Sequence, residues 1–310
     1  MRLPSRTVFA GLGLLAAGAL LAQQPPSTPP PVKGGKTALI DREAPTVTRV
    51  EPAPQVVTTE TAPQPLGYES DVYCFGYLGD LAETFLVRVN GAENIAEQTD
   101  YITDNLLYVN GGVDKGLKVG DEFWIVTPEQ EVIHPTTWKS LGRFYQYRGR
   151  AVVSNLDARA GTVRVTHACT DIPMGAYLKR FEPIPIPLAR KSPPAVAGDP
   201  PSGKATGHIV YTRDGVVGLG ADQDVLVDLG IANGLQPGDF LTIFRLAQGR
   251  QYGIRPVGAY WVNLPPAAGF DVPRTYLGEG GVLMVGDRWS VVRVTDSFRL
   301  IDVGDEVELK

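Results

Sequence analysis

Apolar and polar positions alternate in short runs along this chain, and no segment holds a sustained 3.6-residue apolar period. The alternation predicts strands at Asp71 to Leu78, Phe85 to Val89, Arg148 to Leu156 and Gly161 to Ala168. It predicts more at Gly207 to Thr212, Val216 to Leu219, Gly281 to Val285, Trp289 to Thr295 and Glu306 to Leu309. Asn90-Gly91 and Asp214-Gly215 read as tight hairpin turns. Ile95 to Asp104 is polar and ambiguous. Glu129 to Arg143, with His134-Pro135 and Trp138, and Ala247 to Gly269, with Pro265-Pro266, read as loop insertions. Short strands between glycine-rich turns predict an all-β protein of small barrels or sandwiches with little helix.

The pattern occurs twice. Leu107 to Val126 and Val225 to Phe244 align without a gap, with seven of twenty positions identical: Val109/Val227, Gly112/Gly230, Gly116/Gly234, Leu117/Leu235, Gly120/Gly238, Asp121/Asp239 and Ile125/Ile243. Each copy reads as strand, tight loop, strand. Gly112 and Gly116 are expected to bracket an excursion with positive φ. Leu117 and Leu235, apolar within a polar turn, are expected to plug the end of a barrel. Asp121 and Asp239 are expected to cap backbone amides two residues on. Val163 to Thr166 recurs as Val292 to Thr295, followed in each half by a glycine turn at Gly175 and Gly304. Two matches in the same order predict two tandem copies of one β domain.

Proline placement sets the boundaries. Ten prolines fall between Gln23 and Gly67 and seven between Pro183 and Pro201, out of 26 in the chain. Proline has no N–H for a sheet ladder, so both stretches read as connectors. The expected organisation is a signal segment at 1–22, a disordered proline-rich tether at 23–67, β domains at 68–182 and 202–310, and a linker at 183–201. The tether reads either as a spacer that lets the folded part reach a partner or simply as a disordered N-terminus.

Arg2 and Arg6, the apolar run Val8 to Leu21 and the small residues before Gln23 read as a secretory signal peptide, with an uncleaved anchor as the alternative. That places the protein in the periplasm or cell envelope. Export makes the even cysteine count informative: Cys74 and Cys169 are expected to form a disulfide, worth about 4–5 kcal/mol by loop-closure entropy. Two separate buried thiols are the alternative. The net charge of −5 offers no basic surplus for phosphates, which excludes nucleic-acid binding as the main task.

The recurring framework resembles the C-terminal domain of the flagellar assembly protein T family. The residues that carry the resemblance are Gly112, Gly116, Leu117, Gly120 and Asp121 with Val163, Val165 and Gly175, and their counterparts Gly230, Gly234, Leu235, Gly238 and Asp239 with Val292, Val294 and Gly304. The resemblance implies a small β-barrel module of periplasmic, envelope-associated proteins; the named member contributes to a ring around the flagellar motor. Two tandem copies, without recognisable flagellar N-terminal domains, depart from that member. An envelope-associated structural or binding role is what the resemblance implies.

Candidate chemistry is sparse. Thr166-His167-Ala168-Cys169 faintly resembles the nucleophile motif of L,D-transpeptidases, which makes a peptidoglycan-modifying enzyme using Cys169 the alternative function. Alanine replaces the motif glycine, and Thr170-Asp171 stands where Arg or Asn is expected. His134, His167 and His208 show no metal-ligand spacing, so neither metal nor cofactor is expected. Asp114, Asp121, Asp222, Asp224 and Asp239 lack a calcium-loop pattern and read as turn caps. Trp138, Tyr145 and Tyr147 near the first insertion, and Tyr252, Tyr260 and Trp261 in the second, read either as a glycan- or protein-recognition surface or as loop anchors. The expected function is a non-enzymatic, exported scaffold or binding component of the bacterial envelope. Its partners would be envelope proteins or peptidoglycan, and a homo-oligomer stays open.

Overall fold

Half-buried strands need a closed arrangement to satisfy their edges, and here they find it twice. The computed structural model describes residues 63–310 except 94–95, 97–98, 191, 197, 247–249, 256–257 and 264–273; residue 214 and residues 250–263 are described by backbone alone. The signal segment and all but the last residues of the tether lie outside the described residues.

In chain order the elements are α1 (Glu69–Tyr73), β1 (Tyr77–Gly79), β2 (Val87–Ala92), β3 (Asp100–Tyr101), β4 (Leu106–Val109), β5 (Glu122–Ile133), β6 (Ser140–Leu156), β7 (Gly161–Ala168), β8 (Ile172–Pro173) and β9 (Tyr177–Arg180). They continue with β10 (Thr206–Thr212), β11 (Asp224–Val227), β12 (Phe240–Leu246), β13 (Arg250–Arg255), β14 (Gly258–Asn263), β15 (Arg274–Val285), β16 (Ser290–Ser297) and β17 (Glu306–Leu309). The first barrel runs β2-β4-β7-β6-β5-β9 and closes back on β2, with β1 added along β6. The second runs β10-β11-β16-β15-β12-β17 and closes on β10.

The two barrels share connectivity and register. Leu107 pairs with Val163, and its counterpart Val225 with Val292. Bulges recur at equivalent places: Val89/Gly91 and Ile209/Tyr211, Ile125/Val126 and Ile243/Phe244, Val153/Asn155 and Val282/Met284. A bulge bends its strand, and six strands cannot close without such bending. Asn90-Gly91 is therefore not a turn: Asn90 is the extra residue of a bulge inside β2.

The backbone hydrogen bonds of the repeated turn recur as well. Leu117 donates its amide to Gly112, and Leu235 to Gly230, each 3.3 Å. Both leucines are buried in their barrel cores, as expected of end plugs. Gly116 and Gly234 take φ of 74° and 83°. Gly112 and Gly230 do not; their φ is −136° and −147°. Glycine is needed there for space, since a Cβ would lie 2.2 Å from the Asp157 carbonyl and 2.5 Å from that of Gly286. Asp121 and Asp239 cap the amides three residues back, of Lys118 (3.0 Å) and Gln236 (2.8 Å), rather than two residues on.

Other expectations need correction. Asp71 to Tyr73 belongs to a helical turn rather than a strand, because the Asp71 carboxylate accepts the Tyr68 amide (2.6 Å) and starts it. The first insertion is the extended end of the β5–β6 hairpin, and the backbone of the second forms the β13–β14 hairpin. Asp214-Gly215 lies in a single 3-10 turn, and Val216 to Leu219 retains only an isolated bridge from Leu219 to Ile301. Beyond α1, the described helix consists of three-residue 3-10 turns.

Residues Thr59–Lys310 form one compact unit. Between the barrels lies a separate apolar cluster: Leu66, Val72, Phe75, Val132 and Phe144 from the first half against Val210, Tyr211, Leu226, Leu283, Met284 and Val291 from the second. The proline-rich linker is docked as well. Leu66 donates its amide to Pro187 and Ala189 donates to Gln64, both 2.9 Å, while Arg190 donates to Gly238 (3.0 Å).

Candidate functional site at the seam

The seam joins elements far apart in sequence, and its polar groups are held by turns. At the end of the β5–β6 hairpin, the amides of Thr136 (3.0 Å) and Thr137 (3.1 Å) both donate to His134 Nδ1. That nitrogen must accept, so the neutral ring carries its proton on Nε2. Nε2 donates to Asp228 Oδ2 at 2.9 Å, across 94 residues and from one barrel to the other. Asp228 follows β11; its Oδ1 accepts the His208 amide at 2.5 Å. His208 Nδ1 is 3.8 Å from Asp228 Oδ2, is itself buried and has no hydrogen-bond partner. Burial alone would raise the Asp228 carboxyl, but the bonds from His134 and His208 hold it well below the usual carboxylate range. Glu306 stands opposite His208 in the ladder, buried, with Oε2 unpartnered. Burial pushes its carboxyl up, opposed by His208.

The first barrel has the same scaffold without this chemistry. Asn110 and Arg88 occupy the places of Asp228 and His208, and Asn110 Oδ1 accepts the Arg88 amide at 2.7 Å. Among the described residues, the histidine pair with Asp228 is thus confined to the seam. No sequence spacing could have announced it, because the two rings come from different barrels.

At the other end of the β10–β11 ladder is a polar cavity of about 200 Å³ lined by Asp71, Arg213, Asp222, Gln223, Asp224 and Arg293, among others. Arg293 forms an ion pair with Asp71 and donates to the Asp222 carbonyl at 3.0 Å. Its Nε lies 3.8 Å from Asp224 Oδ1, beyond hydrogen-bond reach. Burial pushes the Asp224 carboxyl up to about 7; Arg213 opposes this and Asp222 adds to it. Asp222 is left on the surface at positive φ, a turn position as expected. A second cavity, about 180 Å³, lies where Pro193, Pro194 and Val196 of the linker cross Phe244, Arg274 and Tyr276.

Cys74 and Cys169 form a disulfide, with Cα atoms 5.4 Å apart. It ties the end of α1, whose neighbours Val72 and Phe75 build the seam, to the end of β7. Arg213 donates to the Cys74 carbonyl at 3.1 Å and couples the bridge to the second barrel. With its sulfur bonded, Cys169 offers no thiolate, although His167 stands beside it.

The expected recognition aromatics fare differently. Tyr145 is buried: its ring stacks on Tyr77 at 5.3 Å, and its hydroxyl donates to the Asp80 carbonyl (2.8 Å) and accepts the Glu83 amide (3.0 Å). Tyr147 is buried too, stacked on Trp124 at 4.3 Å. Both are core residues beneath α1 and β1, which corrects the surface reading. Trp138 is half-buried in the β5–β6 turn at φ 62°. The side chains of Tyr252, Tyr260 and Trp261 lie outside the described residues. A scan against protein-family models finds no match, and no curated protein matches the sequence.

Proposed function

We propose that the protein is an exported, non-enzymatic scaffold or binding component of the bacterial cell envelope. In this reading two barrels fused into one rigid body work with envelope proteins or the peptidoglycan wall. The observation that carries it is the seam. An apolar cluster and an inter-barrel histidine–carboxylate bond fix the barrels relative to each other, and the disulfide within the first half anchors α1, whose Val72 packs in that cluster. Rigid spacing suits a bracket or adaptor, which must hold two surfaces at a set separation. The resemblance of the repeated turns to the flagellar assembly protein T family and the apparent secretory leader in the sequence support the compartment.

The alternative, a transpeptidase using Cys169, is disfavoured by the bonded sulfur. Co-sedimentation of the mature protein with purified peptidoglycan, alongside crosslinking in envelope membranes, tests the proposal. Saturable wall binding or a discrete crosslinked envelope protein supports it. Neither, together with fewer wall crosslinks in a strain carrying Cys169→Ala, overturns it in favour of the enzyme.

A further inference from the structure

We infer that His134, His208 and Asp228 form a binding site for a divalent transition metal, of which Zn²⁺ is the best match, and that the ion staples the two barrels together. The three donor atoms all lie within 4.8 Å of one another. A tetrahedral zinc ion with bonds of about 2.0–2.1 Å sets its ligands roughly 3.3 Å apart. The observed separations, 2.9 Å from His134 Nε2 to Asp228 Oδ2 and 3.8 Å from His208 Nδ1 to the same oxygen, straddle that value. Two imidazoles and a carboxylate are a donor set that zinc takes readily.

Two independent features point to a ligand. His208 Nδ1 is buried without a partner, beside an acidic oxygen it does not reach. Glu306, in register with His208 on the neighbouring strand, has a buried Oε2 that is also unpartnered. An ion at the centre would give the first a bond and the second a counter-charge from behind the ligands.

Proton balance fixes what must move. Metal at His134 Nε2 displaces the proton now donated to Asp228, and a neutral ring must then carry it on Nδ1. The Thr136 and Thr137 amides, which donate to Nδ1, have to turn away. These are two ordinary neutral hydrogen bonds, and metal ligation outweighs them. Binding is therefore coupled to rearrangement of the His134–Thr137 turn, a signal that chance surface binding lacks.

The test uses the oxidised mature protein, stripped with chelator. Zn²⁺ is titrated by calorimetry and Co²⁺ by its visible absorption, while the Thr136 and Thr137 amide resonances are followed. The expected result is one ion per chain, a tetrahedral cobalt spectrum and displacement of both amides. Affinity should fall at least about tenfold in His208→Ala and in Asp228→Asn, and should not change in His167→Ala. His208→Ala guards against misfolding, because it leaves the His134–Asp228 bond in place. Absence of binding, binding that survives His208→Ala, or binding lost in His167→Ala overturns the proposal.

Discussion

Leu226 and Tyr108 hold the same place in the two copies, yet Leu226 is fully buried in the seam while Tyr108 is 44% exposed. Around Leu226 the outer face of the second barrel presents Val210, Leu283, Met284 and Val291 to the first barrel. The matching positions of the first barrel are Asn90, Ser154, Asn155 and Thr162, which face outward and polar. The second copy thus presents an apolar docking face where the first presents an outward polar one. Leu226→Ala should cost about 2–5 kcal/mol, whereas Tyr108→Ala should stay within about 1 kcal/mol. Chemical denaturation of both variants measures the contrast; equal losses would mean that the seam contributes little.

The repeated turn makes a second paired prediction. Gly112→Ala places a Cβ against the Asp157 carbonyl, with backbone on both sides that cannot yield. It should destabilise by about 3 kcal/mol or more. Gly116→Ala meets nothing within 4 Å and suffers only from its left-handed φ, about 1–2 kcal/mol. Gly230→Ala and Gly234→Ala should repeat the ranking in the second barrel. A reversed order in thermal melts would show that positive φ, not space, selects the glycines.

The Cys74–Cys169 bridge closes a separation of 95 residues within the first half. Replacing both cysteines with alanine should cost about 2–5 kcal/mol. The loss should be felt first at α1, which the bridge anchors. Hydrogen exchange at the amides of Cys74 and Asp71 should accelerate more than exchange in β11. Uniform acceleration would instead mean that the bridge acts only on the unfolded chain.

Asp224 predicts a pH dependence. Its carboxyl sits at about 7 in the fold against an ordinary value of 3.8, so the folded protein binds the extra proton between those values. Wild-type stability from this group is therefore highest below pH 4 and declines as pH rises towards 7, by up to about 4 kcal/mol in total. Asp224→Asn, which resembles the protonated acid, should match wild type near pH 4 and exceed it at pH 8. Melting both proteins across that range checks the sign; a variant less stable at pH 8 would place an ionised Asp224 in a favourable bond with Arg293.

Much of the architecture was legible in the sequence because it rests on local chemistry. Gly116, Leu117, Gly120 and Asp121 specify a turn with their own backbone preferences, and their recurrence at Gly234, Leu235, Gly238 and Asp239 announced two all-β units. Strand alternation placed β7, β10, β16 and β17 to within a residue or two. The disulfide needed only the cysteine count and an export reading. Other features gave no local sign. Asn90-Gly91 has the composition of a turn, but the pairing of β2 with β4 turned it into a bulge. Tyr145 looked like a surface aromatic until α1 and β1 folded over it. His134, Asp228 and His208 have no common spacing, since the distance between them is set by how two barrels dock. Which face of each barrel meets water, and which meets its neighbour, was decided only by long-range packing. Sequence specifies turns and pleats through neighbours along the chain, while a seam exists only between surfaces that those elements have already built.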